Sequence, residues 1–549
     1  MTHITDTKTS ARAAVLDAAH LGDIMGALGT IRQHDIGARR TWRHRLVTLL
    51  AILGPGLIVM VGDNDAGAFA TYTQAGQTYG TALLWTLLLL VPVLYVNQEM
   101  VLRLGAVTGV GHARLILERF GKFWGAFSVI DLFILNGLTI VTEFIGISLA
   151  LDYLGVSKLL GVGLAAVATM AAASTGNFRR FERFSLMLCL GSLLLVPIVL
   201  AVHVPAGQVV HDFFIPGLPD GKFSDILLLI IGLVGTTVAP WQLFFQQSYV
   251  IDKRITPRFI NYEKADLCIG ILLVLVGAVA LMVASAAVFA GQPEFGNFSD
   301  AGDVAAGFGK YVSPTMGALF AIALIDAAII GAAAVSLSTA YAIGDVLSLR
   351  HSLHRKATDA KGFYLVYCGL IALSAVIVLI PGSPLGLLTE AVQTLAGVLL
   401  PSATVFLLLL CNDRAVLGPW VNGRWLNLFT GAVIAVLVLL SVVLTASVLY
   451  PDISSRQILW ILGGGTVAGV LAFGVTALFR RPAAEVAEPL TPLQARLLRV
   501  TWRMPPLDEL APARLTPAKK LWMIVLRGYL VVAVGMVVVR VVQLALSGS

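Results

Sequence analysis

Apolar stretches long enough to cross a lipid bilayer recur along nearly the whole chain, and they constrain the fold more than any other feature. Thirteen stretches of roughly 20 or more mostly apolar residues can be recognised. They lie near residues 46–75, 80–104, 124–151, 157–175, 184–204, 223–250, 265–290, 312–346, 362–381, 385–411, 426–450, 457–480 and 520–545. Of the 549 residues, 58% are hydrophobic and only 13% are charged, and the mean hydropathy is +0.87. Because so few polar residues could not cover the surface of a soluble protein, the sequence predicts an all-α polytopic membrane protein.

The distribution of Lys and Arg predicts how these spans are oriented. With a cytoplasmic N-terminus, 33 of the 38 basic residues fall in segments on the cytoplasmic side. The five exceptions are Lys158, Lys222, Lys310, Arg456 and Arg540. Since basic residues concentrate in cytoplasmic loops, we expect a multi-pass protein of the cell (inner) membrane. The net charge of +7 is explained by this topology and by contact with anionic lipid, so no nucleic-acid partner is expected.

The spans group into parts separated by polar segments. After a cytoplasmic N-terminal tail at 1–45, spans one to five occupy 46–204, spans six to ten 223–411, and spans eleven and twelve 426–480. Residues 481–519 are Pro-rich and basic, which favours a cytoplasmic linker with a short amphipathic helix near 491–503, and an extra C-terminal helix is predicted at 520–545. No removable signal peptide is recognisable in the polar first 45 residues.

The first span is interrupted by polar residues in 58-IVMVGDNDAGAFATYTQAG-76. Asp63, Asn64 and Asp65 follow an apolar run directly, and a charge inside a membrane costs at least a few kcal/mol unless it faces a cavity or a partner. One explanation is a kinked packing helix whose carboxylate pairs with a Lys. However, no Lys or Arg occurs at mid-depth in the first twelve spans, so we favour a cation site.

The sixth span is interrupted in a matching way in 226-ILLLIIGLVGTTVAPWQLFFQQS-248. Pro240 removes a backbone donor and clashes with the preceding turn, which predicts a break near 237–240. The two breaks are five spans apart, so they belong to halves of opposite orientation. Broken helices in corresponding positions of inverted repeats indicate a secondary transporter with its binding site near the bilayer midplane.

The polar residues of other spans suggest which cation the site prefers. Glu143 in span three and Gln393 in span ten, together with Gln242 beside the second break, add oxygen ligands. No Met, Cys or His lies around the second break, whereas transition metals gain from sulfur or imidazole ligands. Mg²⁺ takes oxygen ligands and commonly keeps several waters, so this residue set favours a largely hydrated Mg²⁺.

Further polar or reactive residues carry less information. Glu390 could guard the outer entrance or be a solvated rim residue, and Asp326 is a weaker candidate that we expect to be structural. The four cysteines form no CxxC pair, so we expect small buried side chains and neither disulfides nor a thiolate metal site.

Several ordered motifs across about residues 50–450 resemble the natural resistance-associated macrophage protein (Nramp) family of divalent-metal transporters. They are 54-GPGLIVMVGDNDAGAFATYTQAG-76, 102-LRLGAVTG-109, EFIG at 143–146, 178-FRRFERF-184, FIPGLP at 214–219 and 235-GTTVAPWQLFFQQS-248. The resemblance implies a LeuT-like fold with two inverted five-helix repeats plus additional C-terminal transmembrane helices. It also implies that Gln393 and Glu143 match the family's functional glutamine and glutamate.

The chain departs from the family pattern at the site itself. The family's DPGN motif is 65-DAGA-68 here, which keeps the ligand Asp65 and replaces the ligand Asn with Ala68. The MPH motif is 239-APW-241, so Ala239 stands for the thioether ligand and Trp241 for the histidine linked to proton movement. Ile140 replaces an acidic residue of many members, and span nine lacks the arginine pair of proton-coupled members. This pattern is similar to the Nramp-related magnesium transporters, a branch thought to carry Mg²⁺ and also Mn²⁺ without proton coupling.

The sequence thus predicts an uptake transporter, and not an enzyme, that works by alternating access without a cofactor and as a monomer. The expected metal-binding residues are Asp65, Asp63, Asn64, Glu143, Gln242 and Gln393, with the carbonyls of Ala66 and Ala239. Trp241, Ala68, Gly67 and Pro240 are expected to shape the pocket. The alternatives are a proton-coupled Mn²⁺/Fe²⁺ symporter and, more remotely, a divalent-cation channel. An enzyme would need a ligand pair or nucleophile motif that the chain lacks.

Overall fold

The computed structural model describes residues 18–35, 37–380, 385–450 and 453–478, together with short stretches between 497 and 535. These residues form a helical bundle. A small antiparallel hairpin, β1 (Ile24–Gly26) and β2 (Gly29–Ile31), precedes it and pairs Ile24 with Ile31. The linker and the last helix predicted at 481–519 and 520–545 lie mostly outside the described residues, as does the short helix near 491–503.

Twenty α-helices follow one another in the described part of the chain. They are α1 (Trp42–Ile52), α2 (Pro55–Val61), α3 (Ala66–Tyr79), α4 (Leu84–Thr108), α5 (His112–Phe120), α6 (Lys122–Tyr153), α7 (Lys158–Ala173), α8 (Phe178–Cys189), α9 (Leu195–Ala201), α10 (Ala206–Phe214), α11 (Phe223–Thr237), α12 (Pro240–Asp252), α13 (Ile260–Phe289), α14 (Ala301–Tyr311), α15 (Pro314–Leu347), α16 (Lys361–Val378), α17 (Leu385–Cys411), α18 (Arg414–Leu417), α19 (Arg424–Leu449) and α20 (Ser455–Leu478).

Apolar helices of the structure overlap the first twelve stretches predicted from hydropathy, and the fourth stretch coincides with α7, which has only 16 residues. Among the described residues, nine helices or continuous helix runs are long and apolar enough to cross a membrane, and the bent pair of α1 and α2 would make a tenth. Helices α5, α10 and α14 connect these spans. They are too short and too polar for a search based on hydropathy to detect, because such a search looks for bilayer-spanning length.

The first predicted span consists of three helical pieces, which is one break more than the sequence predicts. Helices α1 and α2 meet at an angle of 54°. Gly54 lies at this bend with a φ of 156°, a conformation that residues with a Cβ rarely adopt, and Pro55 then begins α2. The second break separates α2 from α3, where Asp65 caps α3 by accepting a 2.9 Å hydrogen bond from the Ala68 N–H.

The sixth span breaks where the sequence predicts it. Helix α11 ends at Thr237, Val238 and Ala239 lie outside the helical conformation, and Pro240 begins α12. Since proline has no N–H and a fixed φ, it is well suited to the first turn of the new helix and cannot continue the old one.

The two broken spans lie side by side in the centre of the bundle. Helix α12 packs against α2, and α11 packs against α3. Helices α6 and α15 pack along each other beside them, while α17 covers α11 and α3. The molecule therefore has the predicted LeuT-like fold, in which the two breaks meet at the core of two five-span repeats.

Candidate metal site

The break before α3 brings three predicted site residues together. Glu143 of α6 accepts a 3.0 Å hydrogen bond at Oε2 from the Ala66 N–H, the first residue of α3. A Cβ added to Gly331 of α15 would lie 2.7 Å from Glu143 Oε2 and 2.8 Å from Asp65 Cβ. Because Gly331 has no side chain, the side chains of Asp65 and Glu143 can both lie against its backbone and close to each other.

Gln393 approaches the same end of α3 from α17. A Cβ added to Gly67 would lie only 1.8 Å from Gln393 Nε2 and 3.3 Å from Asp65 Oδ1. Gly67 thus leaves the space that the amide occupies. Asp65, Glu143 and Gln393 form one group around the first turn of α3.

Asp63 belongs to a second group, on the side of α12 and α4. Its Oδ1 accepts a hydrogen bond from Gln242 Nε2, and Gln242 Oε1 in turn accepts a 2.8 Å hydrogen bond from Gln98 Nε2. An ionised carboxylate can only accept, so Gln242 must present its NH₂ group to Asp63. This requirement fixes the orientation of both side-chain amides, Gln242 and Gln98, in the series of hydrogen bonds that begins at Asp63.

The remaining predicted residues divide between the site and its surroundings. Trp241 is 1% exposed, and its indole lies 3.8 Å from the position a Gly62 Cβ would take, so it walls the first break. Asn64 points elsewhere: its Nδ2 donates to the Val274 carbonyl of α13 at 3.1 Å, and it lines a small cavity with Asp326. Asn64 is therefore not gathered with Asp65 in this conformation.

The backbone groups at the two breaks also have partners within the protein. Ala66 is the first residue of α3 and turns its N–H toward Glu143, because helix N-termini expose N–H groups. That its carbonyl contacts the ion stays a prediction. The Ala239 carbonyl faces the start of α12 and accepts a 3.2 Å hydrogen bond from the Gln242 N–H. The Thr237 carbonyl lies 3.4 Å from Gln242 Nε2.

The acidic groups are buried without a cationic partner. Asp63, Asp65 and Glu143 are 1%, 4% and 0% exposed. None of them forms a salt bridge within the described part of the chain. Asp63 Oδ2 and Glu143 Oε1 have no hydrogen-bond partner among these residues. Two buried carboxylate oxygens without donors are costly unless a cation or a donor reaches them.

The geometry does not form a compact cage of side chains. In the described residues, no group of three or more His, Cys, Asp or Glu side chains is placed to hold one metal ion. Carboxylates on two sides of a break, with amides between them, suit an ion that keeps part of its water shell better than a fully dehydrated ion.

Sequence reasoning missed Gln98. It lies in 97-NQE-99, a polar run inside the apolar helix α4, and it is fully buried. The run itself was a usable signal, because buried amides in a membrane span need partners.

Glu390 accepts a 2.7 Å hydrogen bond from Gln74 of α3, so it links α17 to α3 above the site.

Comparisons with known proteins identify the family that the chain matches. A family model described as natural resistance-associated macrophage protein-like (Nramp) matches residues 56–447. A divalent metal cation transporter MntH of Ralstonia nicotianae is 31% identical over 398 residues, which cover 68% of this chain and 86% of that protein. A protein of the same name from Xylella fastidiosa is 28% identical over 451 residues, which cover 78% and 90%.

A solved structure shares the fold. The crystal structure of an Eremococcus coleocola manganese transporter, in complex with an aromatic bis-isothiourea substituted compound, superposes with a TM-score of 0.59. The match covers 83% of this chain and 97% of that one at 19% identity. At this identity the likeness concerns the arrangement of the helices.

Proposed function

The chain belongs to the natural resistance-associated macrophage protein (Nramp) family of divalent metal cation transporters, and we propose that it takes up chiefly Mg²⁺, with Mn²⁺ as a second cargo. Transport proceeds by alternating access and without proton coupling, in the inner membrane and as a monomer. The relatives' names specify divalent metal cations, and one solved neighbour is a manganese transporter. The preference for Mg²⁺ comes from the site of this chain.

The observation that carries the proposal is the pair of donor-free oxygens, Asp63 Oδ2 and Glu143 Oε1, buried at the first break. Asp65 is the central ligand in this proposal, since its side chain lies beside those of Glu143 and Gln393 and it follows Asp63 by two residues. Gln242 and Gln393 contact the ion or its waters, and the carbonyls at the second break, including that of Ala239, complete the site. Asn64 joins only if its side chain leaves α13.

The absence of soft ligands supports Mg²⁺ over manganese or iron as the main cargo. Ala239 and Trp241 occupy the positions where thioether and imidazole ligands would be placed, and both are buried beside the breaks. Thiolate, thioether and imidazole groups select transition metals, whereas carboxylates and amides suit Mg²⁺. The same two residues cannot exchange a proton, which supports uncoupled transport driven by the membrane potential. For a divalent ion this driving force is about 4.6 kcal/mol per 100 mV across the whole field.

Uptake into proteoliposomes tests the proposal. The full chain is reconstituted, and Mg²⁺ and Mn²⁺ indicators are followed in parallel with an internal pH dye. We expect Mg²⁺ entry that accelerates with an inside-negative potential and leaves the internal pH unchanged. Asp65→Ala is expected to lose uptake, while Asp152→Ala, at a solvent-exposed position paired with Lys158, retains it.

The same experiment separates the alternatives. Entry of Mn²⁺ alone, together with internal acidification, would establish a proton-coupled Mn²⁺/Fe²⁺ symporter and overturn the Mg²⁺ assignment. Currents of single-channel size would establish a channel instead of alternating access.

A further inference from the structure

A second group of buried charges lies at the bend between α1 and α2, away from the proposed metal site. It consists of Glu182 of α8, Lys253 after α12, and Glu263 and Asp266 of α13. Each of these side chains is at most 1% exposed. The pattern of basic residues predicts that this end of the bundle faces the cytoplasm.

Three of the four side chains hold the bend. Lys253 Nζ donates to Glu182 Oε1 at 2.6 Å and to the carbonyls of Ile52 and Leu53 at 2.6 and 2.9 Å. Asp266 Oδ2 accepts from the N–H groups of Gly54 and Gly56 at 3.1 and 2.7 Å. Lys253 thus binds the carbonyl end of α1, and Asp266 binds the N–H groups at the start of α2.

Glu263 has no such role in this arrangement. Both of its carboxylate oxygens are buried without a hydrogen-bond partner among the described residues, and so is Asp266 Oδ1. Three carboxylates face one ammonium group here, and Lys253 already forms its ion pair with Glu182. An ionised Glu263 would therefore be a buried, unpaired charge next to another carboxylate, which is strongly unfavourable.

Among the described residues, the other basic side chains on elements that pack against α13 are exposed or already have partners. Arg43, His44 and Arg45 of α1 are exposed, and Arg258 before α13 donates to the carbonyls of Asp35 and Gly37.

Helix α8 contributes Glu182, Cys189 and Arg179, and Arg179 donates to the Thr30 hydroxyl. Helix α12 contributes Tyr249, whose hydroxyl is buried and without a partner among these residues, and Lys253 follows its end. On α4, Glu99 is paired with Arg103 and Lys264. A proton on Glu263 relieves the charge excess without any additional group.

We infer that Glu263 and Asp266 form a proton-binding site in this conformation, with the Glu263 O–H directed to Asp266 Oδ1. The two residues are one helical turn apart on α13, so their side chains lie on the same face. One proton then satisfies an otherwise donor-free oxygen of Asp266 and neutralises Glu263.

This site couples protonation to the position of α2. The inference rests on the proposed alternating access, in which one group of helices moves against another around the site, and it takes α2 as part of the group that moves. When α2 leaves, Asp266 loses its two N–H donors, water enters, and Glu263 releases its proton to the cytoplasm. On closure the proton returns from the same side, so no net proton crosses the membrane. Acid on the cytoplasmic side therefore stabilises the closed form and slows uptake.

Infrared spectroscopy of the full chain tests the proton directly, without depending on transport. We expect the C=O stretching band of a protonated carboxyl group in the wild type at neutral pH, and the loss of one such band in Glu263→Gln. The matched control is Glu118→Gln, whose carboxylate pairs with Arg114 and is 30% exposed. An identical band in the wild type and in Glu263→Gln would overturn the inference. If Glu263→Gln fails to fold, the C=O band of the wild type is followed as the pH is raised, and the spectrum of Asp266→Asn is recorded. A C=O band that persists at every pH and is the same in Asp266→Asn would contradict the proposal.

Uptake at varied internal pH tests the coupling. Wild-type uptake should fall on internal acidification, by at most about tenfold per pH unit for one proton. Glu263→Gln, which imitates the protonated state, should be slow at every internal pH, and Glu118→Gln should keep the wild-type response. If wild-type uptake does not change with internal pH, the coupling is wrong. If the wild type transports no metal at all, the proposed function is wrong, and the infrared experiment alone then tests whether Glu263 is protonated.

Discussion

At the scale of single residues, the burial of the candidate carboxylates could be predicted because charged residues inside apolar spans are easy to recognise. Asp63, Asp65 and Glu143 interrupt apolar spans that contain no mid-depth cation, and the structure buries all three. The orientation of Asn64 was not predictable, because it depends on a carbonyl of α13 that is 210 residues away along the chain. Gln98 and Glu263 were also missed, since their meaning depends on which partners the fold gives or denies them.

Ala239 is the residue that we expect to control the preference between hard and soft metals. Ala239→Met places a thioether at the second break, where sulfur favours Mn²⁺ and still softer ions such as Cd²⁺ over Mg²⁺. We expect the ratio of Mn²⁺ to Mg²⁺ uptake to rise by about tenfold, equivalent to about 1.4 kcal/mol. Competition of each metal against Mg²⁺ uptake in proteoliposomes measures this ratio.

Ala239→Leu is the matched control for this substitution, because leucine has a similar size and no sulfur. It should reduce the uptake of both metals without favouring Mn²⁺. Equal selectivity changes in the two variants would mean that volume at position 239, and not ligand chemistry, controls the choice of metal.

Gln98 is expected to act through Gln242 and not on the ion itself. In Gln98→Met the acceptor Oε1 of Gln242 loses its buried donor, which costs about 1–3 kcal/mol and frees the amide to rotate. We therefore expect the KM for Mg²⁺ to rise about tenfold with a smaller change in kcat. Initial uptake rates over a range of Mg²⁺ concentrations give both constants.

The control for Gln98→Met is Gln208→Met, on the exposed side of α10. Gln98→Asn, which can still donate, should recover part of the affinity. An unchanged KM in Gln98→Met would contradict the positioning role.

At the scale of helices, the sequence predicts a break where its cause is local. The break at Pro240 is of this kind, because a proline ends the preceding helix wherever it stands. The bend at Gly54 is different: it is held by Lys253 and Asp266, which come from helices far along the chain. A single apolar stretch over 46–75 therefore looks continuous in hydropathy although it contains three helices.

Substitution of Gly235 tests whether α11, the first half of the broken sixth span, must lie as close to α17 as the structure shows. A Cβ at this position would lie 2.4 Å from the Gln393 carbonyl oxygen and 2.5 Å from the Gly397 nitrogen. Both are backbone atoms, so they cannot rotate away, and Gly235→Ala must separate the helices at a cost of about 1–3 kcal/mol. We expect a lower Tm in detergent and a loss of uptake, because Gln393 moves with α17.

Gly369→Ala on α16 is the control, since its Cβ would meet no atom within 4 Å. This variant should keep both the Tm and the uptake of the wild type. A Gly235→Ala protein with normal Tm and uptake would show that α17 can shift without affecting the site.

At the scale of the whole molecule, the contacts at the two ends of the bundle agree with the predicted alternation of loops. At one end, Arg254 binds the carbonyl of Ala19, and Arg183 binds the carbonyl of Ala27. At the other end, Trp85 binds the carbonyl of Gly217, and Gln77 binds that of Glu294. The basic-residue pattern assigns each of these pairs to a single side. Hydropathy and charge could predict this arrangement because each signal is local and repeats along the chain.

Which end faces the cytoplasm remains a prediction, and cysteine labelling in whole cells tests it. In a background with the four native cysteines replaced by alanine, Gly207→Cys on α10 and Ala357→Cys between α15 and α16 place single thiols at exposed positions. If 1–45 is cytoplasmic, a membrane-impermeant maleimide should label the thiol at position 207 in intact cells and the one at position 357 only after permeabilisation. The reverse pattern would place the Glu182, Lys253, Glu263 and Asp266 cluster on the outside. External pH would then act on the bend of α1 and α2, so the labelling result decides which compartment controls the closed form.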